Sequence, residues 1–497
     1  MKNIRVLFII VLIALLIRLP NIGVPLSGDE IDTVGPARNF LLTARPYQYL
    51  LCDGTEYYNN THPPLRILFY SLWASLFGFT AIAMRAVPII FGLATIVLTY
   101  LLGKEIYSER AGLVAAALMA LSRYHIFASE IVTNDNTLFI FLFEAAVYFF
   151  ILYKSRSEIK FAFLAGAFIV ASLYAKITFF VLIPSLIIYS HLHEKRTKKD
   201  MIIIATAFLV FLLSLFYIST FFDGEILSGP LSVLSATAGS HGSFDLYNKI
   251  FYIATITWQM TPFLSLIILL ALLQMKRDSN YLFLASWILI PLVIFMAGSG
   301  DVQRYYTMAL PAVFVLLGKF FEDVNAKDKH LWIPATGVLI LAILLGINDL
   351  MGYYKPEFIA VFYILAAALV FIPKRNLVLL GAAIGLSVYF AFSPGFIVAS
   401  GGQAASLVID KSREAGIPYN NVFTTKDTNF YLTPQHETTR FCQALLDKNY
   451  LRQRAEYIAL YHLPDERVIK DIAEICETPN FVEMNNRVIG VVCKVRK

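Results

Sequence analysis

Two carboxylates stand side by side at Asp29-Glu30, and His62 follows in Thr61-His62-Pro63-Pro64-Leu65. A carboxylate can take the proton of a hydroxyl as that hydroxyl attacks an electrophilic carbon, a general-base role worth roughly 10²–10⁴-fold in rate. An imidazole can bind a phosphate or simply cap a loop. Arg123, His125, Glu130 and Asp135 form a second charged group within one break between apolar runs. Arg85, Lys176 and Arg304 each stand where a polar break meets an apolar run, the level at which a cation would meet a lipid phosphate. Each of these residues also has a structural reading. Asp29 can cap a helix whose first turn favours Glu30, Pro63 and Pro64 can open the next helix, and Asn134 or Asp135 can cap another. Lys176 can snorkel to an interface, and Arg304 can hold carbonyls or headgroups. Asp29, Glu30, His62 and Asp135 are also ligand types that suit a divalent ion.

The elements that must position these residues lie in a membrane. The chain has 497 residues, 58% hydrophobic and 15% charged, against roughly 25% charged in soluble domains. Apolar runs of about 20 residues, enough to cross a bilayer, recur from Ile4 to the region of Ser400. Only helices fit, because each span must satisfy its own backbone hydrogen bonds. The expected spans begin near residues 4, 81, 111, 136, 160, 178, 201, 258, 281, 305, 331, 358 and 377, about thirteen by the ~20-residue criterion. The first run ends in Arg18-Leu19-Pro20-Asn21 without a small-residue cleavage pattern, so a retained span is expected.

Basic residues punctuate the ends of these runs instead of gathering on one face, so the formal charge of +6 reports topology, not nucleic-acid binding. With the N-terminus in the cytoplasm, Lys104, Lys154, Lys195, Lys276, Lys327 and Lys374 all fall on the cytoplasmic side. The outer loops are then residues 20–80, 120–135, 223–257 and 299–304, and an odd number of spans leaves the C-terminus outside. Pro64 to Phe79 is apolar but short, and is expected as an interfacial helix.

From Gln403 the composition becomes mixed. Short β-like runs at Asn421–Thr425, Tyr457–Tyr461 and Val488–Val495 alternate with helix-like stretches such as Asp465–Cys476. The predicted fold is an all-α polytopic membrane domain over residues 1–400, with a small extracytoplasmic α/β domain over 401–497. Cys52, Cys442, Cys476 and Cys493 have no metal-like spacing, and a disulfide among the three in the tail is an open possibility.

The order of these features resembles the C-type (GT-C) membrane glycosyltransferases, in the branch of the protein O-mannosyltransferases and lipid A aminoarabinose transferases (families 39/83-like). The resemblance rests on Asp29-Glu30 after the first run, Thr61-His62-Pro63-Pro64-Leu65, Met84-Arg85-Ala86-Val87-Pro88 and the stretch Gly103 to Leu113. Glu130 with Asp135, Lys176, Arg304-Tyr305 and Leu310-Pro311 complete it. No one motif is specific; their shared order along the chain carries the likeness. Two positions depart from the pattern: Ile131-Val132-Thr133-Asn134 replaces an arginine found in many relatives, and Ile177 replaces a glycine found in some.

The resemblance implies a glycosyltransferase of the cell (plasma or inner) membrane that uses a polyprenyl-phosphate sugar and inverts the anomeric centre in one displacement. Asp29 would be the base and Glu30 would position it or bind the acceptor, a protein hydroxyl or a glycolipid. Lys176 and Arg304, with Arg85 and His62 as further candidates, would bind the donor phosphate; Glu130, Asp135 and Arg123 are secondary. The leaving phosphate is already a stable anion, so no general acid is required, unlike in many glycoside hydrolases. The family is described as metal-independent, so no cofactor is expected. The rival expectation is a transporter or flippase for lipid-linked sugars, for which internal repeats and mid-membrane charges would be the signs. No repeat is seen and the charges gather at outer ends. A non-catalytic lipid-binding or assembly protein is a third.

Overall fold

A computed structural model describes residues 2–26, 30–44, 48–50, 56–57, 64–133, 136–193, 197–221, 268, 271–272, 275–297, 307–323, 407, 410–412, 414–415, 422–424, 439–440, 457–461, 472–484 and 487–496. It is mostly helical. In chain order the helices are α1 (Lys2–Arg18), α2 (Ile31–Thr43), α3 (Leu65–Phe77), α4 (Ala81–Ile106), α5 (Glu109–Leu121) and α6 (Arg123–Glu130). They continue with α7 (Thr137–Arg156), α8 (Ile159–Ala175), a 3-10 turn (Ile177–Leu182), α9 (Ile183–Leu192), α10 (Thr197–Phe221), α11 (Ser279–Ala297) and α12 (Leu310–Asp323). The expected span starts near 258, 331, 358 and 377 lie outside the described residues.

Local chemistry sets the boundaries. Thr80 opens α4, its hydroxyl accepting from the Ala83 N–H, Ser108 opens α5 by accepting from Ala111, and Asn136 opens α7 by accepting from Leu138. Such caps satisfy amides that have no partner inside the helix. Among the described residues three helices are long and apolar enough to cross a membrane: Ala81–Ile106, Thr137–Arg156 and Asp200–Tyr217. Helices α5 and α6 meet at a bend of 61°. At 13 residues, α3 falls short of the ~20 that a crossing takes.

The core lies where α4, α5, α7 and α12 meet. Leu310–Gly318 of α12 is buried on every side, the pattern of an interior helix. Its neighbours come so close that a Cβ on Gly103 would stand 2.8 Å from the Cα of Gly112, and one on Gly318 would strike the Ala111 carbonyl. The rings of Phe143, Phe179 and Trp287 lock α7, the 3-10 turn and α11 together at centroid distances of 5.0 and 6.0 Å. Facing outward instead, Ile4, Phe8, Ile9 and Leu16 of α1, with Ile202, Leu209, Leu213 and Phe216 of α10, are exposed apolar rows that lipid would cover.

Two small sheets complete the structure. Strands β3 (Val422–Thr424), β5 (Tyr457–Tyr461), β6 (Asn480–Met484) and β7 (Arg487–Lys494) form a mixed sheet in the order β3-β5-β7-β6, with a disulfide joining Cys476 to Cys493. The second sheet joins distant parts of the chain: β1 (Gln48–Leu50) pairs antiparallel with β2 (Glu56–Tyr57) and parallel with β4 (Thr439–Arg440).

Candidate active site

The first turns of α4 carry Arg85, and the segment leaving α1 wraps around it. Nε of Arg85 donates to Glu30 Oε1 at 3.1 Å and Nη2 to Glu30 Oε2 at 2.8 Å, a two-pronged ion pair with both side chains buried. Nη1 donates to the carbonyls of Asn21 (3.2 Å) and Val24, and Nη2 also to that of Pro25 (3.2 Å). A guanidinium has five N–H donors, and these contacts engage them all. Arg85, expected among the phosphate-binding cations, is held by these bonds to the loop that delivers Glu30. Glu30 also accepts from the Val132 amide at 3.2 Å, which ties the first loop to the segment after α6. It occupies the cap position of α2 without a side-chain capping bond, because its carboxylate is turned to Arg85.

A second set of bonds fastens α6 to the same loop. Asn21 Nδ2 donates to Glu130 Oε2 at 3.3 Å, so Asn21 bridges Arg85, through its carbonyl, and Glu130. Arg18 lies 2.9 Å from His125 Nδ1 and donates to the carbonyls of Ala14 and Ala120. A guanidinium can only donate, so His125 accepts at Nδ1 and carries its proton on Nε2. Gly92 lets α6 rest on α4, since a Cβ there would overlap the Ser129 hydroxyl.

Lys176 stands at the break between α8 and the 3-10 turn, where its extended backbone (φ −157°, ψ 120°) ends the helix. Its side chain is fully buried, with the ammonium 5.6 Å from the ring centroid of Phe139, in the first turn of α7. Asn136, which caps α7, donates to Tyr70 Oη at 3.0 Å, and Arg66 lies buried one turn earlier on α3. Glu30, Arg85 and Glu130 therefore share one hydrogen-bonded network, and Lys176, Asn136, Tyr70 and Arg66 lie around the start of α7, whose cap closes the Val132 segment. Asp29, His62, Asp135 and Arg304 lie outside the described residues, and Arg123 begins α6. Among the described residues no three of His, Cys, Asp and Glu converge as a metal site.

The motifs in the sequence leave out Arg18, Asn21, Arg66, Tyr70 and the buried Glu144. Arg66 had a visible signal, being a basic residue directly after His62-Pro63-Pro64-Leu65. So did Glu144, a lone acid inside the apolar run of α7; it is buried and accepts from the Thr99 hydroxyl at 2.8 Å. An ionisable group in such a run needs a reason to be there.

Residues 61–219 match the family of dolichyl-phosphate-mannose-protein mannosyltransferases. No curated protein matches the sequence. Among solved structures, ArnT from Cupriavidus metallidurans bound to undecaprenyl phosphate superimposes with a TM-score of 0.66 at 14% identity, over 98% of this chain and 97% of that one. Its apo form gives the same values. The chain has the GT-C fold. Within it, the arabinofuranosyltransferase AftD from Mycobacteria aligns with 99% of this chain and 40% of its own length, with a TM-score of 0.54 and 14% identity. The stretch matched by the family contains Arg85, Glu130 and Lys176.

Proposed function

We propose that the protein transfers a sugar from a polyprenyl-phosphate donor to an acceptor at the extracytoplasmic membrane face, with inversion at the anomeric carbon. The observation that carries this reading is the Glu30–Arg85 lock, which fixes the residue after Asp29 at the end of the bundle that also buries Lys176. In support stand the matched mannosyltransferase family and a shared fold with ArnT, which was solved with undecaprenyl phosphate.

In this mechanism Asp29 takes the proton of the acceptor hydroxyl as its oxygen attacks C1, and the C1–O bond to the lipid phosphate breaks on the opposite face. Lys176, Arg304 and His62 receive the phosphate charge, which fixed cations stabilise most where water is excluded. Glu30 and Arg85 position the loop, while Glu130, Asp135 and Arg123 shape its second wall. The architecture proposed with it is a membrane domain of residues 1–400, about thirteen spans by the ~20-residue criterion, and an outer α/β domain of 401–497. The acceptor is a protein hydroxyl or a glycolipid.

The test incubates purified protein with a panel of polyprenyl-phosphate sugars and membrane extract and follows release of the lipid phosphate. Turnover with one donor, lost in Asp29→Asn, is the expected result. Full turnover in that variant removes Asp29 as base, and release from no donor returns the protein to the transport reading.

A further inference from the structure

His193 closes α9, and both nitrogens of its ring face oxygens. Nδ1 lies 3.0 Å from the Tyr189 carbonyl, and Nε2 lies 3.1 Å from Oδ1 of Asn280 in the first turn of α11. A carbonyl oxygen can only accept. The other end of the Asn280 amide settles which way it is turned: its Nδ2 donates to the Ile106 carbonyl at 2.9 Å, and the reversed amide would set two oxygens against each other. Oδ1 is therefore the atom that His193 meets. A neutral imidazole has one N–H and one bare lone pair, so it satisfies either contact and leaves a lone pair against an oxygen at the other. Only the imidazolium, with a proton on each nitrogen, donates to both.

The surroundings suit a positive ring. His193 stands at the C-terminal end of α9, where the helix dipole favours a cation, and its ring lies against that of Tyr189 with centroids 4.1 Å apart. Of the groups on α9 itself, His191 is exposed. The charged and titratable groups on the elements around it are Glu105 on α4, Lys154 on α7, Asp200 on α10, and Arg277, Asp278 and Tyr281 around the start of α11. The acids have partners of their own. Glu105 meets Ser155 and Arg156, Asp200 meets Lys154 and Ser190, and Asp278 accepts from the Tyr281 amide at 2.8 Å. Two neutral oxygens, in place of an ion pair, hold the ring.

We infer that His193 carries both ring protons and acts as a proton-dependent clasp joining α9, α11 and the end of α4. That end of α4 is the one opposite Arg85, and α9 is the helix that follows Lys176 through the 3-10 turn, so the clasp fastens the far end of that segment. Loss of one proton removes a donor and turns a lone pair on the Tyr189 carbonyl or on Asn280. The folded chain thus binds a proton that the unfolded chain holds less firmly. This part of the stability is present while the ring is doubly protonated and is lost as pH rises. The clasp stands independently of the proposed transfer reaction.

The decisive measurement is nitrogen NMR of the full-length protein in detergent, labelled with nitrogen-15 at its eight histidines, at neutral pH. The His193 ring is assigned by its absence from His193→Gln. Both of its nitrogens are expected to show the shifts of an imidazolium; one protonated and one bare nitrogen overturns the inference. A second readout follows the thermal-unfolding midpoints of the native protein and His193→Gln between about pH 6 and 8, within the range where a histidine changes charge. The native protein should lead at the acid end, with the gap shrinking as pH rises. A gap that is the same at every pH overturns the clasp. Asn280→Leu, which removes one of the two acceptors, is the second variant should His193→Gln not fold. Its gap to the native protein is expected to shrink in the same way, and a constant gap there also rejects the inference.

Discussion

The two ends of the α4–α7 pair treat charge in opposite ways. At one end, Arg85 and Glu30 have 1% and 3% of their side-chain surface exposed, and Arg18, His125, Glu130 and Lys176 are buried at that end as well. At the other end, Arg156 and Glu105 are 50% and 23% exposed, and Lys104 with Glu109 is similarly open. Exposed pairs contribute little, typically 0–1 kcal/mol. A buried pair has to be matched bond for bond, and breaking it from one side costs about 3–5 kcal/mol. Among the described residues only the first end keeps several charges together away from water, which is what a site that must bind and move charge requires. Lys154 and Asp200 are the exception at the open end: buried at 4% and 0% and joined by Ser190, they tie α7, α9 and α10.

The largest expected effect follows from breaking the buried lock. Arg85→Met leaves Glu30 buried without its guanidinium and should lower stability by about 3–5 kcal/mol, read as a drop in the midpoint of thermal unfolding in detergent together with loss of transfer. Arg85→Lys keeps the charge but not the five-donor fork and should fall between that variant and the native protein. Lys154→Met should also cost stability, on the order of 3 kcal/mol, while kcat/KM per folded molecule stays native. A selective loss of donor turnover in Lys154→Met would erase the contrast between the ends. Glu144→Gln keeps an acceptor for the Thr99 hydroxyl and should shift stability by no more than about 1 kcal/mol. The smallest effect is expected for Arg156→Ala, at most about 1 kcal/mol; a loss matching that of Arg85→Met would show that exposure is the wrong criterion.

Much of the helical framework was legible because the lipid-facing code is coarse. Runs ending in Lys104, Lys154 and Arg156 mark the ends of α4 and α7, and hydropathy alone locates them. The sheet was legible in part. Tyr457–Tyr461 and Arg487–Lys494 are β-branched or aromatic enough to read as strands, whereas Asn480–Met484, with Asn and Glu among its five residues, is not. Strands β1, β2 and β4 leave no signal in the sequence because they are two or three residues long and β4 pairs with a partner near the other end of the chain.

The sequence marks Glu30 and Arg85 as charged residues beside apolar runs, but not that they hold each other. Their separation of 55 residues, like the 107 between Arg18 and His125 and the 109 between Asn21 and Glu130, belongs to the folded chain alone. Residue type tells which groups can meet a phosphate; only packing tells which are already engaged.

The pairing of β1 with β4 also acts as an arithmetic constraint on how the chain threads a bilayer. Between residue 50 and residue 439 it must pass through the membrane an even number of times, whatever the fate of any single apolar run. A count that gives an odd number of passages between these two strands is at variance with their hydrogen-bonded pairing.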